Sequence, residues 1–380
     1  MMRRIWIILF LALPFTGFAQ YSISGRVINK NDQKPVADAS VFLNNASAGT
    51  KTADNGTFTL TNVRPGQYDL VVSIIGYETV HQPIMVNKDL RLGDILISPK
   101  TIALNEVKIM PPGDRDKYYQ KFLRLFFGYG EFAADCKILN PDLLDFDYDR
   151  PAKVFTASSS DYLEIENKAL GYRIKYFLNN FKNDEKSGVL YFEGTAAFSE
   201  MQGKPSAVRR WVKNRLKVYQ GSSMHFLRSA IANDIETEGF RVLKLIRTPD
   251  TAKSVTGIPR YKETLVSKPY LNVSDFIRTT DIPGEYALGY PDCLYIMYAK
   301  KWAHQAIKNP AAPLPDKPAF LDDPVCTTLI FNGAYSYFDA NGIIINPQSI
   351  LFEGAWGIGG VAELLPVDYV PGEVGKVDGP

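Results

Sequence analysis

The sequence predicts an all-β sandwich of about seven short strands, followed by a larger, strand-rich α+β region. Three observations carry this. Apolar and polar residues alternate from Tyr21 to Ile97. Turn-forming pairs interrupt that alternation at short intervals. Beyond Pro112, helical stretches appear between further alternating runs. A period of two buries one face of a strand, and a period near 3.6 buries one stripe of a helix.

The first element is an export leader at residues 1–19. Arg3 and Arg4 form a positive start, Ile5 to Leu13 an apolar core, and Gly17-Phe18-Ala19 a small-residue cut site after Ala19. The core is too short to span a bilayer, which takes about 20 apolar residues. No Cys lies near the cut, which argues against a lipid-anchored form. No later apolar run approaches spanning length, so no transmembrane segment is expected after leader removal. The expected location is outside the cytoplasm, in the periplasm or associated with the outer membrane.

The sandwich follows at 21–98. Tyr68, Leu70, Val72 and Ile74 alternate with Asp69, Val71 and Ser73, and Phe58 and Leu60 with Thr57, Thr59 and Thr61. Lys34-Pro35, Asn44-Asn45, Asp54-Asn55-Gly56 and Pro65-Gly66 supply the turns. Leu90 and Leu92 give way to Ile95 and Ile97, and this slip of phase at Gly93 predicts a β-bulge. All three cysteines, Cys136, Cys293 and Cys326, lie beyond it, so the sandwich is stable without a disulfide. Export permits one bridge among the three, and spacing leaves open which pair, if any, forms.

Composition bounds the function classes. The chain has 380 residues, enough for two or three domains, and is 46% hydrophobic, as suits a globular protein. Removing Arg3 and Arg4 takes 43 Lys and Arg to 41, level with 41 Asp and Glu. That balance gives no support for a nucleic-acid partner.

The runs ISGRVINKNDQKPVADASVFL, GTKTADNGTFTLTNVRPGQYDLVVSIIGYETV and LGDILI resemble the carboxypeptidase regulatory-like (transthyretin-like) domain of bacterial envelope proteins. That domain often begins SusC-type TonB-dependent receptors. The resemblance covers about a fifth of the chain and implies fold and compartment, with no catalytic residue attached. A zinc carboxypeptidase needs clustered His and Glu ligands. This chain has only His81, His225 and His304, and no His-Glu-x-x-His. No cofactor is expected. What remains after the sandwich is also too short and too helical for a receptor barrel. The analogy with such receptors suggests an accessory of a glycan importer.

A connector at 99–113, bracketed by Pro99 and Pro111-Pro112, leads into an α+β region at 114–365. Asp114 to Phe127 predicts a helix with an apolar face of Tyr118, Tyr119, Phe122, Leu123, Phe126 and Phe127. Strands are predicted at Leu143–Tyr148, Lys153–Ala157, Leu170–Phe177 and Val189–Phe198. A late hairpin turns at Asp339-Ala340-Asn341-Gly342. The tail, 366–380, is rich in Pro and Gly and expected to be extended.

The unusual stretch is Met201 to Asn233, which contains no Asp or Glu. On a helix, Val208, Trp211, Val212, Leu216 and Tyr219 share one face, and Arg209, Lys213 and Lys217 line another. Ser222 and Ser223 suit a helix N-cap. Arg209, Arg210, Lys213, Lys217, His225 and Arg228 are therefore the candidates for holding an anion or partner, such as a phosphate, lipid A or a sugar acid. The plainer reading is a solvated basic face paired with acids elsewhere. The segment RRWVKNRLKVYQGSSMHFLRS also resembles uncharacterised envelope proteins, with no activity attached.

Three further patterns carry less. Asp145, Asp147 and Asp149 would share one strand face, a weak Ca²⁺ candidate set against a solvated face. Ser222, Ser223 and His225 invite a hydrolase reading, but no G-x-S-x-G elbow is present. Gly357 to Ala362 fits G-x-G-x-x-A, yet Pro366 leaves no helix behind it, so a turn beside Trp356 is expected. The expected function is a non-enzymatic envelope binding or accessory protein, its partner an outer-membrane protein or glycoconjugate. The alternative is an envelope hydrolase with its site in 114–365.

Overall fold

The computed structural model describes residues 20–100, 114–250, 261–300 and 326–372. The leader, most of the connector and His304 lie outside them.

Seven strands build the sandwich: β1 Tyr21–Asn29, β2 Ser40–Leu43, β3 Gly49–Lys51, β4 Thr57–Val63, β5 Gly66–Ser73, β6 Val80–Val86 and β7 Leu90–Ile97. They form a β4-β1-β7 sheet and a β3-β2-β5-β6 sheet. The β1–β7 pairing is parallel, and its register slips between Ser24↔Arg91 and Arg26↔Asp94, which is the bulge at Gly93. Ile23, Val27, Val41, Leu60, Leu70, Val72, Val86 and Ile97 fill the core between the sheets. Each such aliphatic side chain contributes roughly 1.5–3 kcal/mol by leaving water. The fold is thus a β-sandwich followed by a strand-rich α+β region.

That second part opens with α1, Asp114–Phe127, over a six-stranded sheet. The sheet contains β8 Cys136–Ile138, β9 Leu144–Asp149, β10 Val154–Ser159, β11 Leu163–Asn167, β12 Tyr172–Asp184 and β13 Val189–Glu200. Strand β12 is the spine. Strand β13 pairs along its length, and β11 and β10 divide its other edge. Phe122 of α1 sits 4.8 Å from Phe126 and 4.9 Å from Phe181 of β12, centroid to centroid. The short strands β8 and β11 escape a sequence reading because neither carries more than two core residues.

Two helices follow, α2 Pro205–Tyr219 and α3 Ser223–Ile231. Helix α2 is anchored by Trp211, whose indole N–H donates to Lys168 O at 2.9 Å. Its ring lies over Gly171, where a Cβ would approach Trp211 to 2.2 Å, so only glycine fits. Arg215 is buried beside it, donating to Leu170 O at 2.7 Å and to Glu200 at 2.6 Å, with its guanidinium 3.9 Å from the Tyr172 ring centre. Sequence periodicity places Arg215 among the cations of this stretch without showing that it points inward.

The last part pairs β14 Phe240–Pro249, β15 Tyr261–Val266, β18 Cys293–Tyr298, β19 Cys326–Phe331 and β21 Ile350–Gly354 in the order β15-β14-β18-β19-β21. A smaller sheet orders β16 Ile277–Thr279, β17 Glu285–Leu288 and β20 Ser336–Asp339. Phe226, Leu227 and Ala230 of α3 pack with Phe240, Leu294 and Phe338. The predicted turn after β20 is held by Asp339, whose carboxylate accepts the Asn341 and Ile343 N–H groups at 2.9 Å each.

All three cysteines are free thiols. Cys326 pairs in register with Met297 on β18, four residues from Cys293. Four strand residues span about 13 Å, beyond the roughly 7 Å Cα limit for a disulfide. Cys136 lies in the other core, where burial pushes its thiol up to about 12.

The C-terminal segment joins these parts. Val367 is buried in the sandwich core, and Tyr369 in the core under α1. The Val367 N–H donates to Asn45 O at 2.6 Å, and the Asn45 N–H to Ala196 O on β13 at 2.7 Å. Asp368 accepts from Ser47 Oγ at 2.5 Å. Arg228 closes the junction by donating to Asn341 O at 2.9 Å, Tyr369 O at 2.9 Å and Val367 O at 2.7 Å. Truncation in Arg228→Met removes all three bonds and should destabilise the fold by about 4.5 kcal/mol or more, since hydrogen bonds to charged groups are each worth about 1.5–3 kcal/mol. Denaturant unfolding and amide exchange of Val367 will measure this; exchange as slow as wild type would refute the clamp.

Candidate functional site

The six candidates at 209–228 divide by what α2 and α3 do with them. Trp211, Arg215, Val218 and Tyr219 face inward on α2, so its opposite face must carry Arg209, Arg210, Lys213 and Lys217, all exposed. Lys217 forms an ion pair with Glu131. Arg209, Arg210 and Lys213 have no acidic partner among the described residues. They leave three unneutralised cations within two turns of one rigidly anchored helix.

Arg228 and His225 serve the interior. All three Arg228 nitrogens are engaged by backbone carbonyls of the turn at 341 and the C-terminal segment. His225 is only 5% exposed and sits between the rings of Tyr219, Phe240 and Tyr298. Its Nδ1 accepts the Gly221 N–H at 3.1 Å, so the ring proton resides on Nε2 and is donated to Glu238 Oε2 at 3.1 Å. Burial lowers the imidazole pKa below its ordinary 6.5, outweighing Glu238, which raises it. Glu238 in turn is lowered, chiefly by the hydrogen bond from His225. The pair is therefore a neutral imidazole donating to a carboxylate.

This arrangement speaks against serine chemistry at His225. Ser222 does cap α3, but its Oγ accepts the His225 backbone N–H at 3.2 Å rather than meeting the ring. Ser229 Oγ donates to His225 O at 2.7 Å. Both imidazole nitrogens already have partners, and neither is a hydroxyl. A cleft of about 370 Å³ opens over this pair, bordered also by Asp234, Tyr298 and Lys300.

The aspartates Asp145, Asp147 and Asp149 do lie on the exposed face of β9. From Asp145 to Asp149 the strand rises about 14 Å, too far for all three carboxylates to meet at one Ca²⁺ with ligands at about 2.4 Å. Asp149 also accepts the Ala152 N–H at 2.9 Å. Among the described residues, no group of three or more His, Cys, Asp or Glu is placed to hold a metal ion. The Gly357–Ala362 string forms a short helix, Ala355–Ile358, and a single tight turn, Gly360–Glu363, packed on the end of α1. There the Tyr129 N–H donates to Ile358 O at 2.7 Å, and Asn167 donates to Ala362 O at 2.9 Å.

A second basic surface escaped the sequence reading. Lys117, Lys121 and Arg124 line a cleft of about 390 Å³ with Tyr129, Tyr148 and Glu185. Their spacing of i, i+4 and i+7 on α1 was available as a signal, but it lies behind the stronger aromatic pattern of the same helix.

Comparison with known proteins identifies the domain at the start of the chain and little more. Residues 23–109 match the CarboxypepD_reg-like domain. No curated protein matches the sequence. Among solved structures, a cohesin–X-dockerin complex from Acetivibrio cellulolyticus is 17% identical, covering 32% of this chain and 85% of that one at a TM-score of 0.21. The pilus 2b backbone protein of group B streptococcus is 16% identical, covering 21% and 42% at 0.19. The 3-chlorocatechol 1,2-dioxygenase of Rhodococcus opacus 1CP is 12% identical, covering 22% and 61% at 0.19. Likeness at these scores carries no activity across.

The histidines give opposite signs with pH. His81 bonds Asp69 at 2.7 Å, and that bond raises its pKa above 6.5. Its contribution is present below about pH 6.5 and fades as pH rises through the folded value. His225 is held neutral, so its contribution is present above about 6.5 and is lost as pH falls. An NMR titration should find the His81 ring titrating above 6.5 and the His225 ring below it. The reverse order would overturn both assignments.

Proposed function

We propose that this protein is a non-catalytic binding or accessory protein of the cell envelope, exported by its leader, that docks on an anionic partner through the outer face of α2. The observation that supports this most directly is the exposure of Arg209, Arg210 and Lys213 without an acidic partner among the described residues, on a helix pinned by Trp211 and Arg215. Three cations on one short surface repel one another, and an anion relieves that repulsion. Because the helix is anchored, little ordering entropy is lost when the anion arrives.

The chemistry of the partner follows from the donors. Two guanidinium groups suit forked hydrogen bonds to phosphate or carboxylate, and the ammonium adds a point charge. A phosphorylated envelope glycolipid, or an acidic patch on an outer-membrane protein, meets that requirement. The sandwich is the rigid module to which this surface is fastened through Asn45 and Val367. No helix among the described residues is long and apolar enough to cross a membrane, which is compatible with docking from one side. The His225 geometry favours this reading over hydrolysis, since its ring nitrogens serve packing.

Sedimentation with vesicles carrying a phosphorylated glycolipid provides the test. Wild-type protein should co-sediment at low salt and lose most binding near 0.5 M salt, where exposed charges are screened within about 4 Å. Arg209→Glu, Arg210→Glu and Lys213→Glu together should abolish binding while leaving the melting temperature within a few degrees, as surface changes generally do. Equal binding by the folded triple variant would reject the α2 face as the docking surface.

A further inference from the structure

The cleft on α1 is a separate feature with its own chemistry. Lys117 and Arg124 are exposed and have no ion-pair partner among the described residues. Lys121 forms an ion pair with Glu185 and lies 5.1 Å from the Tyr148 ring centre. Tyr148 Oη donates to the second Glu185 oxygen at 2.8 Å. One carboxylate therefore faces three cations, and the cleft keeps a net positive charge.

The wall formed by Tyr129 distinguishes this cleft from a plain basic patch. The residue is 68% exposed, so its ring is open to a ligand in the cleft. Its backbone is nevertheless tightly held. The Tyr129 N–H bonds Ile358 O, and at the preceding Gly128 a Cβ would approach Ile358 O to 2.2 Å. This packing fixes the backbone from which the Tyr129 ring lines the cleft. An exposed aromatic face on a held backbone can serve as a stacking platform, since the chain carrying it loses little freedom when a ligand arrives.

We propose that the α1 cleft binds an acidic saccharide: a sugar unit whose ring stacks on Tyr129 and whose carboxylate or phosphate is taken by Lys117 and Arg124. Glu185 and the Tyr148 hydroxyl oxygen accept hydrogen bonds from the sugar hydroxyls. A bare inorganic anion has no use for Tyr129 or Glu185, and a neutral sugar has no use for two unpaired cations. The volume of about 390 Å³ lies near the lower end of small-molecule sites, about 300–1,000 Å³, which suits one or two sugar units rather than a long chain.

Calorimetric titration of the whole protein tests this with digalacturonate and glucose 6-phosphate as acidic probes, and with maltose and inorganic phosphate as controls. At least one acidic probe should bind, and both controls should bind at least about tenfold more weakly. Tyr129→Ala should weaken binding about tenfold, the size of a lost stacking contact, whereas Tyr129→Phe should retain it. Lys117→Glu with Arg124→Glu should abolish it. The α2 variant with Arg209, Arg210 and Lys213 reversed should bind the acidic probe as wild type does, which separates this site from the docking face. The proposal is overturned by failure of both acidic probes, by maltose or phosphate binding as tightly as they do, or by full binding in a folded Tyr129→Ala protein.

Discussion

Arg228 holds together parts of the chain that share no sheet. Its guanidinium is fixed on α3, and its donors reach the turn at Asn341 and the C-terminal carbonyls of Val367 and Tyr369. Through Asn341, whose amide donates to Gln67 O at 2.9 Å, the same turn reaches the sandwich. Through Val367, the C-terminal segment inserts into the sandwich core and bonds Asn45. A guanidinium suits this task because its donors diverge in one plane and its charge persists at any physiological pH. Were those carbonyls unpaired at a half-buried junction, each would cost about 1–3 kcal/mol.

That junction makes the sandwich part of a larger rigid body. The loop at Asn44–Ser47 bonds both β13 and the C-terminal segment, so sandwich orientation is set at three points. Rigidity matters for the two basic surfaces. Each lies on a helix whose inner face is fully committed to aromatic packing, α1 through Phe122 and Phe126, α2 through Trp211 and Tyr219. Cations on such helices project from anchored backbone positions, which favours recognition over loose charge attraction.

The acid-free stretch shows how far a charge pattern can be read. Its cations split into three fates: Arg215 and Arg228 turn inward as structural donors, Lys217 pairs with Glu131, and Lys204, Arg209, Arg210 and Lys213 remain outward. Glu200 and Glu131, which neutralise Arg215 and Lys217, and Glu238, which accepts from His225, all lie outside it in sequence. A linear reading sees the local excess of charge and cannot see acids delivered by strand pairing and chain return. The aspartates of β9 fail in the opposite direction: their shared face was legible, but strand spacing keeps them apart.

The sequence by itself determined the sandwich, the bulge at Gly93, α1 from Asp114 to Phe127 and a turn or helix N-cap near Ser222 and Ser223. These depend on periodicity and on backbone preferences expressed within a few residues. Only the tertiary structure decided which cations are exposed, that His225 is a neutral donor to Glu238, and that Tyr129 stands beside Lys117 and Arg124. Those outcomes depend on contacts beyond the few residues over which periodicity is read. A side chain's burial, partner and protonation state are set by what folding brings against it, and no local pattern encodes that neighbour.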